Sequence, residues 1–339
     1  MLDIKGLRQS YRRRLIRKRL LWRAFRKRRE LTLVSDKRAA IMGDSILLFS
    51  TMRNEEMRLA HFLDHYRQLG VGHFLIVDND STDGTATYLA EQPDVSVWHT
   101  SSSYKASRFG VDWLNWLQRR YAHDRWSLVV DADEILIYPD WETRDLRVLT
   151  QWLDAQGQSM MGALMLDLYP NGPIEAQSYR SGQDPAEVLQ WFDGYGYWAQ
   201  RQERLDNLWL QGGVRARYFF ADDPRRAPTL NKIPLVHWKR PYAYVNSTHS
   251  ALPSALNHTF DEDGVEKLCG VLLHTKFLPG AVQRACEEKA RKEHFAAGEQ
   301  FEDYYDALAA DPNLWSEEAS KYDSWRQLVD LGLMSRGKW

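Results

Sequence analysis

The sequence is poor in cysteine, and it lacks long apolar runs. Its 339 residues contain two cysteines, Cys269 and Cys286, which form neither a CxxC pair nor a disulfide framework, as expected in a reducing compartment. No apolar run approaches the roughly 18–20 residues of a membrane-spanning helix. The charged N-terminus is not followed by the apolar segment of a secretory signal. We therefore expect a cytoplasmic protein, peripheral on the inner membrane face if its charges bind lipid.

Acidic residues are scarce in the first thirty positions, where thirteen Lys and Arg residues stand against Asp3 and Glu30. The remaining chain holds 32 basic and 44 acidic residues, so a basic arm precedes an acidic body. The spacing over residues 4–30 predicts a basic helix. Its apolar side chains fall mainly on one side and are Leu7, Tyr11, Leu15, Leu21, Trp22 and Phe25.

Such a helix favours an anionic membrane surface as its partner. A solvated helix that packs on the body is the alternative interpretation. RNA binding is less favoured because the helix has no base-stacking motif. We do not expect nucleic acid as a partner.

From residue 45 onward, short apolar strands alternate with helices. This alternation predicts an α/β fold with a doubly wound, mostly parallel sheet flanked by helices. Strands are predicted at 46–50, 73–77, 95–99, 126–130 and 160–169. Further helices are predicted over 281–310 and 315–333. We divide the chain into a basic helical arm (1–40), a central domain (41–280) and a C-terminal helical extension (281–339).

Two acidic clusters follow predicted strands, at the edge where ligands of such sheets bind. Asp131 and Asp133 come directly after the strand 126–130. Carboxylates there suit a divalent cation, Mn²⁺ or Mg²⁺, whose open positions take phosphate oxygens. Asp78-Asn79-Asp80 follows an earlier strand, and its carboxylates suit the hydroxyl or N–H donors of a nucleotide. The alternative for both clusters is a solvated acidic turn.

Three ordered segments resemble the family-2 glycosyltransferases. They are Ser50-Thr-Met-Arg-Asn-Glu55, Val77-Asp-Asn-Asp-Ser-Thr-Asp-Gly-Thr85 and Val130-Asp-Ala-Asp-Glu134. The chain is most similar to bacterial members with VDNxSTDGT and DADE segments, over about residues 45–140 and more weakly through 272–277. The resemblance implies a GT-A fold, a nucleoside-diphosphate sugar donor and inversion at the anomeric carbon. It makes 41–140 the nucleotide half and 141–280 the acceptor half.

The resemblance also implies roles for single residues. The nucleotide-binding set that it implies is Arg53, Glu55, Asp78, Asp80 and Asp131. Asp131 and Asp133 would serve the metal, and many GT-A enzymes complete this site with a late histidine, here His274. An edge or core histidine is equally open. Lys276 could meet a phosphate, as could Lys105 and Arg108, for which surface solvation is the alternative.

The catalytic base stays open. Inversion needs a group that takes the acceptor proton, and the family usually supplies it from a Glu-Asp pair that this chain lacks. The candidates are Asp193, Asp222, Asp223 and His249. Spacing favours Asp222 and the aromatic surroundings favour Asp193, but each of the four could equally be structural.

Together these features predict a metal-dependent inverting glycosyltransferase, hexosyl or related. It would move a sugar from a nucleotide-sugar donor to a glycan or glycolipid hydroxyl in bacterial surface polysaccharide or glycolipid synthesis. A nucleotidyltransferase is disfavoured because Thr51-Met-Arg-Asn54 contains no glycine. A non-catalytic GT-A-fold protein that binds carbohydrate or serves as a membrane scaffold is the alternative, because no base is evident.

Overall fold

The computed structural model describes residues 4–260, 266–291 and 302–339. It confirms the α/β class, with a central sheet flanked by helices. The helices are α1 (Ile4–Lys27), α2 (Glu56–Gln68), α3 (Thr85–Glu91), α4 (Val111–Tyr121), α5 (Leu146–Ala155), α6 (Pro185–Val188), α7 (Ala281–Arg291), α8 (Glu302–Ala309) and α9 (Trp325–Asp330). The strands are β1 (Thr32–Ser35), β2 (Ile46–Met52), β3 (Val71–Asp78), β4 (Val95–His99), β5 (Arg125–Val129), β6 (Glu134–Ile137), β7 (Met160–Asp167), β8 (Trp191–Phe192), β9 (Trp198–Gln202), β10 (Asn207–Gln211), β11 (Asn231–Trp238), β12 (Ala243–Tyr244), β13 (Ala251–Leu252), β14 (Cys269–His274) and β15 (Ser320–Lys321).

The large sheet has nine strands in the order β1, β4, β3, β2, β5, β11, β7, β14, β6. Strands β2, β3, β4, β5, β7 and β14 run in one direction, and β1, β11 and β6 run against them. The carboxyl ends of the first group therefore meet the starts of β11 and β6 at one edge. Polar residues from distant parts of the chain are brought together there.

Helices cover both faces of the sheet because successive strand side chains point to opposite faces. Leu48 packs with Phe62 of α2 and Leu149 of α5. Its neighbour Phe49 packs on the other face with Trp113 of α4. A third apolar cluster surrounds β6, β7 and β14 and includes side chains from α8 and α9. The C-terminal segment thus shares its core with the central sheet.

The basic helix α1 lies against the body. It packs on α4, and its Arg23 guanidinium donates to the buried Asp112 carboxylate at 2.9 and 3.1 Å. Arg13 donates to the backbone oxygens of Glu203 and Arg204, in the turn between β9 and β10. In the part of the chain that the structure describes, no helix has the length and apolar character needed to cross a bilayer.

The C-terminal helices differ from the expectation. The prediction over 281–310 corresponds to α7 and α8, and residues 292–301 between them lie outside the described residues. The prediction over 315–333 is wrong for most of its length. β15 pairs there with β8, and only Trp325–Asp330 is helical. The aromatic residues before α9 pack from extended chain into the third cluster, so their spacing did not indicate a helix.

Candidate active site

A cleft opens at the carboxyl edge of the sheet. Its lining residues come from the ends of β2, β3, β5 and β14 and from α7 and α8. Those lining residues include Thr51, Arg53, Glu55, Asn79, Tyr104, Asp131, Asp133, His274, Lys276, Arg284, Glu287 and Tyr305. The helices predicted as an extension therefore form one wall of this cleft.

Strand register places three polar residues in one row at the cleft floor. His274, the last residue of β14, pairs with Asp167 on β7 and with Glu134 on β6. Because β6 begins directly after Asp133, the acidic turn lies beside the end of β14. The Thr275 backbone N–H donates to the Asp133 carbonyl oxygen at 2.7 Å, which ties the turn to β14.

His274 stands between two carboxylates. Its Nε2 lies 3.1 Å from Asp133 Oδ2, and its Nδ1 lies 2.5 Å from Asp167 Oδ1. Asp167 in turn accepts two hydrogen bonds from Arg215, at 2.7 and 2.8 Å. Asp167 and His274 are buried, so the order Arg215, Asp167, His274, Asp133 holds the imidazole in one orientation.

These contacts shift the pKa values of the row. Burial opposes the charged form of His274, but Asp133 and Asp167 outweigh it and raise the pKa of the imidazole. Burial likewise opposes ionisation of Asp133 and Asp167, yet both pKa values are lowered. His274 is the main opposing influence on Asp133, and Arg215 is the main one on Asp167. Both carboxylates are therefore ionised at neutral pH.

Asp131 has a different partner. Lys232, near the start of β11, places Nζ 3.2 Å from Asp131 Oδ2 and 2.7 Å from Glu134 Oε1. Burial disfavours charge on Lys232, but the two carboxylates outweigh it and raise the pKa of the ammonium. The other Glu134 oxygen, Oε2, accepts the Asp131 backbone N–H at 3.0 Å. The carboxylate of Asp131 is therefore paired with a lysine, whereas the carboxylate of Asp133 is paired with His274.

Asp133 and His274 fit a divalent ion. Among residues 4–260, 266–291 and 302–339, no group of three or more His, Cys, Asp or Glu side chains is arranged to hold a metal alone. Mg²⁺ typically takes one or two carboxylates and completes its shell with water and phosphate. Ligands about 2.1 Å from an ion lie about 3 Å apart at neighbouring octahedral corners, close to the observed 3.1 Å. Asp167 contacts the other ring nitrogen of His274, as carboxylates that orient a ligating histidine do.

One end of the cleft is built on β3. Asp78 is buried, where it accepts the Ser81 backbone N–H at 3.3 Å and lies 3.2 Å from His99 Nδ1. Asn79, the next residue, lines the cleft, and its carbonyl accepts a hydrogen bond of 2.8 Å from Arg53. The exposed Asp80 lies 3.8 Å from the same arginine. The structure thus brings Asn79 and Arg53 to the cleft and sets Asp78 beneath them.

Cations surround the carboxylates of the cleft. Arg58 Nε lies 3.0 Å from Glu55 Oε2, although burial still raises the pKa of Glu55. Arg284 extends from α7 into the cleft, where burial and then Arg58 lower its pKa to about 10. Lys276 also lines the cleft and lies over the Tyr304 ring, 4.9 Å from its centroid. Arg53, Lys276 and Arg284 therefore offer positive charge to an anionic ligand, beside the carboxylates that line the same cleft.

Lys105 and Arg108, the two cations before α4 that were predicted to meet a phosphate, are not among the lining residues of the cleft. Arg108 donates to Asp112 Oδ1 at 2.7 and 2.9 Å and to the Val245 carbonyl oxygen at 2.7 Å. Neither Lys105 nor Arg108 lines the cleft, whereas the adjacent Tyr104 does. Their contact with a diphosphate stays a prediction.

None of the base candidates lines the cleft. Both carboxylate oxygens of Asp193 accept hydrogen bonds from Arg217, and it faces a second pocket with Tyr195 and Trp198. Asp222 is exposed, as is its neighbour Asp223. His249 Nδ1 lies 2.6 Å from the Asn231 carbonyl oxygen. Burial, followed by the charge of Lys232, lowers the pKa of His249 to about 3.

Sequence reasoning missed several charged residues of the site, namely Asp167, Lys232, Arg215, Arg284, Arg58 and Glu287. Asp167 carried a signal, because it ends an apolar strand as Asp78 does. Lys232 carried a weaker one, as a lysine within the apolar run of β11. Arg215 and Arg284 carried none, because only tertiary structure brings their segments to the sheet edge.

No protein-family model and no curated protein matches the sequence. Several solved structures align with parts of the chain. A mannosyltransferase from Pyrobaculum calidifontis, in complex with GDP-Man and Mn²⁺, is 18% identical over 49% of this chain and 48% of its own, with a TM-score of 0.28. A protein from Bacillus anthracis described as a glucose-1-phosphate thymidylyltransferase is 10% identical over 81% and 98%, with a TM-score of 0.36.

A third structure is glucosyl-3-phosphoglycerate synthase from Mycobacterium tuberculosis with Mn²⁺, UDP and phosphoglyceric acid. It is 17% identical over 41% of this chain and 48% of its own, with a TM-score of 0.24. The chain thus spans about half the length of the mannosyltransferase and of this synthase. All three TM-scores lie below 0.5, so the fold assignment rests on the sheet itself.

Proposed function

We propose that this protein is an inverting glycosyltransferase of the GT-A type. It transfers a sugar from a nucleotide-sugar donor to an acceptor hydroxyl. The observation that carries the proposal is the pair Asp133 and His274, whose side-chain atoms face each other at 3.1 Å in a cleft at the sheet edge that is lined by both cations and carboxylates. Ligands of α/β sheets bind at this edge.

Each part of the cleft has a separate task. Asn79 and Arg53 lie where the nucleoside would bind, at the end of β3. Asp133 and His274 would hold Mn²⁺ or Mg²⁺, which when bound neutralises the diphosphate of the donor. Lys276, two residues after His274, and Arg284 on α7 also line the cleft and would contribute fixed positive charge near the same group. Lys232 keeps Asp131 oriented, because its ammonium lies 3.2 Å from that carboxylate.

The acceptor is proposed from the resemblance and the charge distribution. A surface polysaccharide or glycolipid precursor would reach the cleft from the side of the segment 141–280. The second pocket, with Tyr195 and Trp198 beside Asp193, offers aromatic side chains of the kind that pack on sugar rings. Synthesis of such an acceptor would take place at the cytoplasmic face of a membrane.

Nucleotide binding tests the donor site. We would measure thermal shifts with UDP, GDP, CMP and dTDP, with and without Mn²⁺, on the wild type, Asp133→Asn and Asp64→Asn. Asp64 is an exposed carboxylate on α2, paired with Arg67, and serves as the matched control. We expect a Mn²⁺-dependent shift with one nucleotide, retained in Asp64→Asn and lost in Asp133→Asn. A wild type that responds to none of them contradicts the proposal.

Donor hydrolysis separates the enzyme from the non-catalytic alternative. A transferase releases the nucleotide slowly from its own donor in the absence of acceptor, because water replaces the acceptor hydroxyl. Binding without any release, at any enzyme concentration, would favour a protein that binds carbohydrate or nucleotide without catalysis.

A further inference from the structure

Helix α1 shows the reverse of the usual amphipathic arrangement. A surface helix normally buries its apolar stripe against the body and exposes its charges. Here Leu7, Tyr11, Leu15 and Trp22 are 48–63% exposed. They fall, with Phe25, within an arc of about 80°, because residues advance by about 100° along an α-helix. We define these five side chains as the apolar stripe.

The opposite face of α1 holds the helix to the protein. Leu20 and Ala24 are buried there. Arg13 bonds to the β9–β10 turn, and its Nη1 also donates to Ser254 Oγ at 3.1 Å. Arg23 bonds to Asp112, which has no exposed side-chain surface. These contacts leave the apolar stripe facing outward, so its exposure is set by the packing.

Cations flank the apolar stripe, and Lys18 lies within its arc. The exposed basic residues of α1 are Arg8, Arg12, Arg14, Lys18, Arg19 and Arg26. No acidic residue stands between positions 4 and 29. An outward strip of Leu, Tyr, Trp and Phe bordered by arginines is the composition of helices that lie in the interface of an anionic bilayer.

We propose that α1 is a rigid membrane-docking surface for anionic phospholipid, with the apolar stripe inserted between headgroups and the flanking cations on the phosphates. Charge complementarity selects this partner over a second copy of the chain, because two such helices facing each other would bring like charges together. The aliphatic part of the apolar stripe selects lipid over RNA, because Leu7 and Leu15 cannot stack on bases but gain from burial in the bilayer interface.

The contacts of α1 place this surface beside the cleft. Arg23 Nη2 donates to the Ala106 carbonyl oxygen at 3.0 Å, two residues from the cleft-lining Tyr104. Asp112 joins Arg23 to Arg108 in the same loop. Arg13 contacts the hairpin whose strand β9 begins at Trp198, in the second pocket. The body-facing side of α1 therefore contacts two segments that also contribute lining residues to the two pockets.

Vesicle co-sedimentation of the full chain tests the docking surface. The vesicles are pure phosphatidylcholine, or phosphatidylcholine with about one-third phosphatidylglycerol, at physiological salt. We expect sedimentation with the anionic vesicles only. The triple variant Tyr11→Ser, Leu15→Ser, Trp22→Ser should lower partitioning at least about tenfold. The matched control Val34→Ser, Met57→Ser, Val148→Ser changes three side chains that are 46–58% exposed elsewhere, and should sediment like the wild type.

A charge variant keeps the test valid if the apolar triple variant fails to fold. Arg12→Gln, Lys18→Gln and Arg19→Gln together should lower partitioning about 100-fold, since each cation near an anionic surface contributes about fivefold. Its control changes the exposed residues Arg147, Arg180 and Lys321 to Gln. Thermal unfolding of every variant shows which ones retain the fold.

Three results would overturn the proposal. The wild type could fail to sediment with anionic vesicles, or a folded apolar triple variant could sediment as the wild type does. Light scattering could instead show a dimer that the triple variant dissociates, which would assign the stripe to a second copy. Sedimentation does not depend on catalysis, and donor hydrolysis without vesicles should be unchanged in the triple variant. Failure of docking and failure of glycosyl transfer are therefore separate results.

Discussion

Two aspartate–histidine pairs lie at the same edge of the sheet and differ in what they expose. In the pair Asp78–His99, the carboxylate is buried and the imidazole is 42% exposed. In the pair Asp133–His274, both side chains line the cleft, although the imidazole is only 8% exposed. The same two residue types therefore support a turn in one region and line the cleft in the other.

The surroundings explain this difference. Asp78 uses its oxygens on Ser81 and His99, which brings the next residue, Asn79, to the cleft. Behind His274 stands a second carboxylate, Asp167, itself held by Arg215. Because Asp167 holds Nδ1 of His274, the imidazole keeps Nε2 pointed at Asp133, and a metal-binding histidine requires such a fixed orientation. The two pairs therefore differ in the second partner of the histidine, which is Asp167 in the case of His274.

The largest effect is expected from a change of Asp133, the cleft-lining carboxylate of the pair Asp133–His274. Under the proposed function, Asp133→Asn removes a charge that would help to hold the metal beside the donor diphosphate, so we expect donor hydrolysis and transfer to fall about a thousandfold. Nucleotide release in the presence of Mn²⁺ measures this effect, with Asp64→Asn as the control. Wild-type rates in Asp133→Asn would remove the distinction between the two pairs.

The next largest effect is expected from a change of Asp167, which orients His274. Asp167→Asn should weaken Mn²⁺ binding about 10- to 100-fold, the usual loss when the partner of a ligating histidine is changed. Asp193→Asn is the matched control, because it breaks the equivalent carboxylate–arginine pair with Arg217 and lies in the other pocket. A Mn²⁺ titration that gives equal affinities for these two variants would show that Asp167 has only a structural role.

The stability of the protein should depend on pH through His65, which contacts β6, the strand that follows Asp133. His65 is buried, and its Nε2 lies 2.9 Å from the Leu136 carbonyl oxygen on β6. Burial lowers the pKa of His65 to about 4, against about 6.5 in the unfolded chain. Below pH 6.5 the unfolded chain binds a proton that the folded protein does not, so stability falls as pH falls.

Urea unfolding measures this loss. Between pH 6.5 and 5, the wild type should lose about 2 kcal/mol more of its free energy of unfolding than His65→Gln does. Glutamine does not titrate and can still donate to the Leu136 carbonyl. Equal losses in the two proteins would mean that His65 is protonated in the folded state.

The smallest effect is expected from a change in the pair Asp78–His99. Asp78→Asn keeps the size of the side chain and removes its charge. We expect about a tenfold loss of nucleotide affinity, because charge-assisted hydrogen bonds that position the Asn79 turn become neutral ones. Mn²⁺ affinity should stay at the wild-type value. If Asp78→Asn lowers Mn²⁺ affinity as strongly as Asp167→Asn does, the two pairs are not independent.

Much of the fold was predictable because its signals are local. The apolar runs 46–50, 95–99 and 126–130 alternate with helix-spaced segments, and each lies within a strand or differs from its bounds by one residue. The parallel arrangement follows from that alternation. The segment 315–333 failed for the converse reason. Trp315 and Tyr322 lie in extended chain there and are partly buried against the third cluster, so contacts with distant elements set the conformation of this segment.

The candidate site was predictable where it lies at a strand end. Asp78, Asp131 and Asp133 could be singled out because carboxylates directly after buried strands collect at one edge of a parallel sheet. His274 came from the resemblance to a family. The catalytic base stays a prediction, because none of its candidates lies in the cleft.

By itself the sequence determined the alternation of strands and helices, the basic character of the first thirty residues and the positions of the acidic turns. These depend on spacing and composition within short segments. Only tertiary structure decided that Asp131 faces Lys232 while Asp133 faces His274. It also decided that α1 turns its apolar stripe outward. Both outcomes depend on which remote side chains arrive at a surface, and that is set by strand order and packing.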